Sequence, residues 1–139
     1  MSQTEKSFRI LVVDDFEMGR QIMKSALHDL GFTNIDEAED GKMAVDVLNE
    51  AAAKNQPFTM VFCDWNMPEL NGLQVLQIVR KDATYSKIPF VMVTAESNQE
   101  SIVMALSSGA TDYIVKPITH EVLKIKIERM VGKMQAKSA

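Results

Sequence analysis

The chain has 139 residues, of which 46% are hydrophobic and 24% are charged, the composition of one ordinary globular domain. At this length we expect no second folded output domain, and the formal net charge of -4 argues against nucleic acid or an anionic membrane as the main partner. No apolar stretch reaches the roughly 18 residues of a membrane span and the N-terminus lacks a secretory signal, so we expect a soluble, cytoplasmic protein that does not insert into membranes. We also expect it to be a monomer.

The first predicted pair of elements is a strand followed by a helix. Residues Phe8–Val13 form a short apolar run rich in β-branched side chains, which indicates a strand buried on both faces. Beyond it, apolar residues recur at helical spacing up to Gly31, a typical helix stop. The residues predicted to face the core are Met18, Ile22, Met23, Ala26, Leu27 and Leu30. This segment is therefore predicted to be an amphipathic helix.

Four more pairs of strand and helix follow. The predicted strands are Asn34–Ala38, Phe58–Phe62, Pro89–Val93 and Tyr113–Val115. The predicted helices are Gly41–Lys54, a segment from Gly72 to about Asp82, Gln99–Ser108 and Thr119–Lys133. Strands that alternate with helices favour right-handed crossovers and a parallel sheet covered on both faces, so the predicted fold class is α/β, doubly wound. One domain is predicted over residues 8–131, with tails at residues 1–7 and 132–139.

Side chains with distinct chemistry follow the predicted strands. Asp14 and Asp15 follow the first strand, Asp64 the third, Thr94 the fourth and Lys116 the fifth. Taken singly, either acid after the first strand is more simply interpreted as a helix cap, the threonine as a hydroxyl bonded to backbone and the lysine as a solvated strand end. In an open parallel sheet, however, all these positions share the edge at which ligands bind.

Three carboxylates at one edge of a sheet need a cation. Two unit charges about 4 Å apart repel by roughly 4 kcal/mol at an effective dielectric near 20. Hard oxygen ligands with no His or Cys among them favour Mg²⁺. A metal beside a lysine and a threonine is a receptor for a tetrahedral dianion, so we predict a phosphoryl group there, with one carboxylate as the nucleophile. Cys63, in the apolar run before the third acid, is predicted to be a buried thiol.

Four blocks of the sequence resemble the signature motifs of the response-regulator receiver domains. They are Val12-Val13-Asp14-Asp15, Asp64-Trp65-Asn66-Met67-Pro68, Val93-Thr94-Ala95 and Tyr113-Ile114-Val115-Lys116-Pro117. The resemblance covers about residues 8 to 131 and extends to the single-domain chemotaxis regulators of this family. It implies a flavodoxin-like, five-stranded parallel sheet in the order 2-1-3-4-5, with five helices.

The resemblance also implies roles for the residues at the strand ends. Asp64 is expected to accept the phosphoryl group. Asp15 and Asp64 are expected to bind Mg²⁺ directly, Asp14 through water, and Asn66 through its backbone carbonyl. Lys116 is expected to pair with the acceptor and then with the phosphoryl oxygens, and its bond to the following proline is expected to be cis.

A switch and a partner surface are implied in the same way. Thr94 is expected to move toward the phosphoryl group and Tyr113 to follow it inward, which couples the site to the face formed by the fourth helix, fifth strand and fifth helix. The residues expected on this partner face are Ile102, Leu106, Tyr113 and Lys126. Asn66 and Glu96 have two interpretations: they tune access of the hydrolytic water, or the first forms a turn and the second complements a helix dipole.

The chain differs from the chemotaxis regulators at two places. Glu17 and Gly19 stand in the first helix, where glycine costs up to about 1 kcal/mol relative to alanine. Ser97-Asn98-Gln99 replaces a segment in which such regulators often carry lysines. The first difference places an acid beside the pocket, and the second bears on the choice of partner.

We therefore predict a response regulator of a two-component system that receives phosphate from a histidine kinase and signals by binding a downstream protein. The expected target is the flagellar motor switch, with a phosphatase as a further partner and no enzyme activity beyond its own phosphorylation and autodephosphorylation. The alternatives within the family are a phosphorelay intermediate, a phosphate sink or a non-motor partner. Those outside it are a flavodoxin-like electron carrier, an aspartyl phosphatase and a phosphorylation-independent scaffold.

Each outside alternative conflicts with the residues present. A flavin phosphate would be repelled by the acidic segment Asp14-Asp15-Phe16-Glu17. Aspartyl phosphatases place their nucleophile after the first strand, whereas Asp64 follows the third. A scaffold of this fold usually lacks part of the set of acids, threonine and lysine, and this chain has the full set.

Overall fold

The computed structural model describes residues 8–138, within which five parallel strands alternate with five helices. The strands are β1 (Ile10–Val13), β2 (Ile35–Ala38), β3 (Met60–Cys63), β4 (Phe90–Thr94) and β5 (Asp112–Val115). The helices are α1 (Glu17–Asp29), α2 (Gly41–Ala53), α3 (Gly72–Lys81), α4 (Gln99–Ser107) and α5 (His120–Ser138). The strands lie in the order β2-β1-β3-β4-β5, so the predicted fold class and strand order are confirmed.

Helices cover the sheet on both faces, and this explains the apolar runs of its central strands. Every residue of β1, β3 and β4 is buried. On one face, Leu27 of α1 and Leu123 of α5 pack in a core cluster with these strands. On the other face, Leu48 of α2, Leu76 of α3 and Ala105 of α4 form the second cluster. A strand packed on both faces carries no alternation of polar and apolar residues.

Four helices begin at a side chain that accepts a hydrogen bond from the first turn, and α1 does not; at α5 this side chain is Thr119, which accepts the amide of Val122 at 3.1 Å. The capping residues of α2, α3 and α4 are Asp40, Asn71 and Asn98. The N-cap residue of α1 is Phe16, which makes no side-chain cap. The alternative that Asp14 or Asp15 serves as the cap of this helix is therefore wrong, and another reason is needed for two acids at the end of β1.

The predicted inward face of α1 is only partly correct. Met23, Ala26 and Leu27 are buried, whereas Met18 is 73% exposed and Ile22 is 46% exposed. The exposed pair, four residues apart, lies on a neighbouring arc of the helix. That arc borders an open groove beyond the end of β5 instead of the sheet. Apolar spacing therefore identifies the helix but makes its buried stripe too wide.

The predicted boundaries differ most from the observed ones at α5. We predicted its end at Lys133, but the backbone stays helical to Ser138, because residues 133–138 contain no glycine or proline to stop it. The helix therefore takes up most of the predicted tail at residues 132–139, while the predicted tail at residues 1–7 lies outside the described residues. None of the described helices is long and apolar enough to cross a membrane.

Candidate functional site

The candidate site lies at the carboxyl ends of the strands, where the hydrogen bonds of the sheet continue far enough to position its residues. The amide of Asp14 donates to a carbonyl of β2 at 3.2 Å, and the amide of Asp64 donates to one of β1 at 2.9 Å. The amide of Lys116 donates to the carbonyl of Thr94 at 2.9 Å. The two acids follow β1 and β3, neighbouring strands whose next helices cover opposite faces of the sheet. Ligands bind at this position in open parallel sheets.

Three carboxylates meet at this edge. Asp14 and Asp64 are 5% and 7% exposed, whereas Asp15 is exposed to solvent. One oxygen from each of the three lies within 4.8 Å of the others. The Nζ of Lys116 donates to Oδ2 of Asp14 at 2.8 Å and to Oδ2 of Asp64 at 3.2 Å. Three carboxylates and one ammonium leave a formal charge of minus two, so the cluster still attracts a cation.

Two opposed effects act on the Lys116 ammonium. Partial burial by itself lowers the pKa of Lys116, because the charged form loses hydration. The hydrogen bond to Asp14 and the negative charge of Asp64 outweigh burial, so the pKa is raised above its ordinary value. The lysine therefore stays charged at neutral pH. Its predicted pairing with Asp64 is present, but its shorter contact is with Asp14. The peptide bond from Lys116 to Pro117 is cis, as expected.

Asp64 is held by the turn that follows it. Its Oδ1 accepts the amide of Trp65 at 2.6 Å. Gly72 supports this turn, because its amide donates to the Trp65 carbonyl at 2.8 Å and its Cα packs against the Asp64 carbonyl, where any side chain would overlap that oxygen. The sequence analysis missed this role of Gly72. The signal available was a glycine at the end of a turn-rich segment, which does not reveal what approaches it.

Glu96 connects the buried residues of the site to its mouth. The hydroxyl of Thr94, which is fully buried, accepts the Glu96 amide at 3.3 Å. The hydroxyl of Tyr113 donates to the Glu96 carbonyl at 2.7 Å, and Nδ2 of Asn66 donates to Oε1 of Glu96 at 3.1 Å. Glu96 lies before the N-cap residue of α4, so the alternative that it complements the dipole of that helix's first turn is wrong. Asn66 and Glu96 instead form a bridge between the segments after β3 and β4.

Tyr113 already lies inside the protein. Its ring belongs to the core cluster beneath α2, α3 and α4. The inward orientation that we expected is therefore present, and its coupling to phosphorylation stays a prediction. Burial, and then the negative charges of Glu96 and Asp64, raise the pKa of Tyr113. The hydroxyl therefore stays protonated and serves as a hydrogen-bond donor.

The predicted partner face is only partly at the surface. Leu106 of α4 is exposed, and Lys126 of α5 forms an ion pair with Asp112 at 2.8 Å. Ile102 is partly buried against the core, and Tyr113 is buried. Two of the four residues predicted on this face thus contribute to the core.

The donor set at the strand ends suits a hard divalent cation. Among the described residues, Asp14, Asp15 and Asp64 are the one group of acidic, His or Cys side chains close enough to share a metal ion. Carboxylate oxygens without sulfur or imidazole favour Mg²⁺ or Ca²⁺ over zinc. Burial of two of the acids strengthens their attraction for a cation. The backbone carbonyl of Asn66 as a further ligand stays a prediction.

Known proteins are similar to this chain in sequence and fold. The family model described as "Response regulator receiver domain" matches residues 10–128. The chain is 43% identical to the chemotaxis protein CheY of Pseudomonas aeruginosa, over 88% of this chain and 94% of that protein. It is 40% identical to the chemotaxis protein CheY-3 of Vibrio cholerae, over 93% of this chain and 95% of that protein. The solved structure of Vibrio cholerae CheY4 matches with a TM-score of 0.76 at 31% identity, covering 88% of this chain and 97% of that chain.

Proposed function

Because the chain belongs to the response regulator receiver domain family, which matches residues 10–128, we propose that it is a switch in which Asp64 accepts a phosphoryl group from a histidine kinase. The observation that carries this proposal is the lysine shared by two buried acids, with Lys116 at 2.8 Å from Asp14 and 3.2 Å from Asp64. Phosphoryl transfer requires mainly alignment and charge neutralisation from a protein. A fixed cation beside a nucleophilic carboxylate supplies both.

In the proposed reaction, a carboxylate oxygen of Asp64 forms a bond to phosphorus while the bond from phosphorus to the donor's histidine nitrogen breaks. The electron pair of that bond stays on the nitrogen, and the product on the chain is an acyl phosphate. Lys116, which donates to Oδ2 of Asp64 before the reaction, then donates to a phosphoryl oxygen instead. The Thr94 hydroxyl accepts the Glu96 amide at 3.3 Å, so it keeps its own proton for the phosphoryl group.

The proposal includes Mg²⁺, with Asp15 and Asp64 as direct ligands, Asp14 acting through water and Asn66 through its carbonyl. When bound, the ion neutralises negative charge on the phosphoryl oxygens. The formal charge of minus two on the three acids and Lys116 supports this part of the proposal. Asp15, as the exposed member of the three, gives the ion an open side toward solvent.

The proposed output is binding to another protein in the cytoplasm, with no catalysis beyond the chain's own phosphorylation and autodephosphorylation. Similarity to two proteins named for chemotaxis, at 43% and 40% identity, supports a role in chemotaxis with the flagellar motor switch as target and a phosphatase as a further partner. One observation favours a second candidate, which is a phosphorelay role, a phosphate sink or a non-motor target. Ser97-Asn98-Gln99 stands where the chemotaxis regulators that this chain resembles often carry lysines, and Asn98 is the N-cap of α4.

Phosphorylation by acetyl phosphate tests the acceptor directly. In the presence of Mg²⁺, the intact mass of the wild type should increase by one phosphoryl group, and the fluorescence of Trp65 should change first with Mg²⁺ and then with the donor. Asp64→Asn should fold and show neither the mass increase nor the donor response. The matched control is Asp46→Asn, an exposed carboxylate on α2, which should behave as the wild type. A phosphorylated species that persists in Asp64→Asn would show that the acceptor is another residue.

The two outputs differ in what the phosphorylated form binds. Purified chain, with and without beryllium fluoride as a phosphoryl mimic, should be mixed with isolated motor-switch protein. Chain phosphorylated beforehand by acetyl phosphate should be mixed with a histidine phosphotransfer domain. Binding to the motor protein that depends on the mimic supports chemotaxis. Transfer of phosphate from the chain to the phosphotransfer domain, without motor binding, supports the second candidate.

A further inference from the structure

Gly19, in the first turn of α1, lies directly against the carboxylate of Asp14. A Cβ atom at position 19 would stand 2.5 Å from Oδ2 of Asp14 and 3.0 Å from its Cγ. Real Cβ atoms essentially never approach another atom closer than 3.0 Å, so something would have to move. The carboxylate of Asp14 therefore occupies the space that a side chain would fill. Glycine is unfavourable within a helix. Its presence at position 19 is explained by the room that it leaves for the Asp14 carboxylate.

This space lets both oxygens of Asp14 find partners within the protein. Oδ2 accepts from Lys116 at 2.8 Å, and Oδ1 accepts the amide of Phe16 at 2.9 Å. The Arg20 side chain donates to the carbonyl of Asp14 at 2.8 Å and so fixes its backbone. A metal ion, or water bound to it, must compete with these contacts for the carboxylate.

A carboxylate displaced from this position is not expected to move into the protein interior. Beneath it lies a cavity of about 10 Å³ whose lining includes Val12, Met23, Phe62 and Val93. An unpaired charge among such side chains is strongly unfavourable. The carboxylate would therefore move outward, toward the other two acids, where repulsion is relieved by a bound cation.

We infer that Gly19 is a positioning residue that sets the Mg²⁺ affinity of the site, by letting Asp14 fold back onto Lys116 when no metal is bound. The inference rests on the proposed function, because it takes Mg²⁺ as the ligand of the three acids. Before phosphorylation, Lys116 and the metal compete for the carboxylate of Asp14. A larger residue at position 19 removes the lysine-bound arrangement, leaves the carboxylate among the acids, and so strengthens metal binding.

A Mg²⁺ titration followed by Trp65 fluorescence tests this inference, with the wild type, Gly19→Ala and Gly132→Ala compared. Gly132 is the matched control, because it also lies in a helix and a Cβ there meets nothing within 4 Å. Gly19→Ala should bind Mg²⁺ about tenfold more tightly than the wild type, the effect of one charge-assisted hydrogen bond that no longer competes. Gly132→Ala should bind as the wild type does.

Urea unfolding in EDTA supplies a second readout. Gly132→Ala should raise the unfolding midpoint, because alanine favours helix, whereas Gly19→Ala should lower it. In an Asp14→Ala background the carboxylate is gone, so Gly19→Ala should then raise the midpoint as the control does. If it still lowers the midpoint there, the contact with Asp14 is not what the glycine serves and the inference is overturned.

The outcomes separate this inference from the proposed function. Unchanged or weaker Mg²⁺ binding by Gly19→Ala, with normal binding by the wild type, overturns the inference and leaves the proposed function standing. A wild type that gives no response to Mg²⁺ overturns the metal-dependent function itself, and the inference with it.

Discussion

Replacing Lys116 with methionine removes the cation that bridges the two buried acids and keeps a side chain of similar length. We expect Lys116→Met to be less stable than the wild type without divalent metal, and to gain more from added Mg²⁺. Asp14 and Asp64 would lose a partner at 2.8 and 3.2 Å. Because both acids are nearly inaccessible to solvent in the folded protein, water replaces the lysine only in part.

The separation of the carboxylates gives the size of the effect. At 4.8 Å, the upper limit for the clustered oxygens, two unit charges repel by about 3.5 kcal/mol at an effective dielectric of about 20. Removal of one partner from a buried ion pair costs about 3–5 kcal/mol in other proteins. The Lys116 side chain is 25% exposed, so solvent already screens part of the interaction. We therefore expect a loss near the lower end, about 3 kcal/mol.

Urea unfolding followed by circular dichroism, in EDTA and in saturating Mg²⁺, measures this loss. Mg²⁺ at 100 times its dissociation constant should stabilise the wild type by about 2.7 kcal/mol, and the variant by more, since it binds the ion more tightly. The control is Lys54→Met, which removes an exposed lysine paired with Glu50 on α2 and should leave the midpoint unchanged. The electrostatic account of the site is refuted if Lys116→Met unfolds at the same urea concentration as the wild type in EDTA, or if Mg²⁺ stabilises it less than it stabilises the wild type.

Three further predictions follow from the same site. Asp15→Asn should unfold at higher urea than the wild type in EDTA, because one repelling charge is gone, and should gain much less from Mg²⁺; a lower midpoint with a wild-type response to Mg²⁺ would contradict its role as a ligand. Thr94→Ala should still be phosphorylated on Asp64 by mass spectrometry, since the hydroxyl forms no covalent bond, but should lose phosphorylation-dependent partner binding in a pull-down assay; equal binding would remove Thr94 from the switch. Burial, and then the charges of Asp64 and Asp14, raise the pKa of Cys63 well above its ordinary value of 9.0. The neutral thiol therefore contributes to the stability of the fold below that pH, and this contribution to stability is lost as the pH rises above it. A chromogenic thiol reagent should therefore react only in urea, and rapid reaction with the native protein would show that the thiol is accessible.

The arrangement of the site could be predicted because its residues follow apolar runs. Asp14, Asp64 and Lys116 each come directly after such a run, and parallel strands bring their carboxyl ends to one edge of a sheet. The excess of negative charge over one lysine then indicates a cation. These steps need only the order of the elements along the chain, which survives errors of one or two residues in their boundaries.

Other features could not be predicted, because they depend on distances between residues far apart in sequence. Gly72 is needed where its Cα packs on the Asp64 carbonyl, and Gly19 where the Asp14 carboxylate fills the space beside it. Nothing in the spacing of either glycine indicates which atom approaches it. The exposure of Met18 depends similarly on where the sheet ends beneath α1, and the spacing of apolar residues along the helix does not indicate that position.

If the proposed phosphorylation leaves Tyr113 in its inward position, the ring contributes nothing to the change in the population of signalling states. A modification shifts an equilibrium only as far as it favours one state over the other, and a contact present in both states contributes nothing. The bond from the Tyr113 hydroxyl to the Glu96 carbonyl, at 2.7 Å, is already made. A shift from 1:99 to 99:1 requires about 5.5 kcal/mol, which would then have to come from other contacts, such as those proposed for the phosphoryl group with Thr94 and Lys116. In that case we expect a partner that distinguishes the two forms to recognise the segments that carry Thr94 and Lys116.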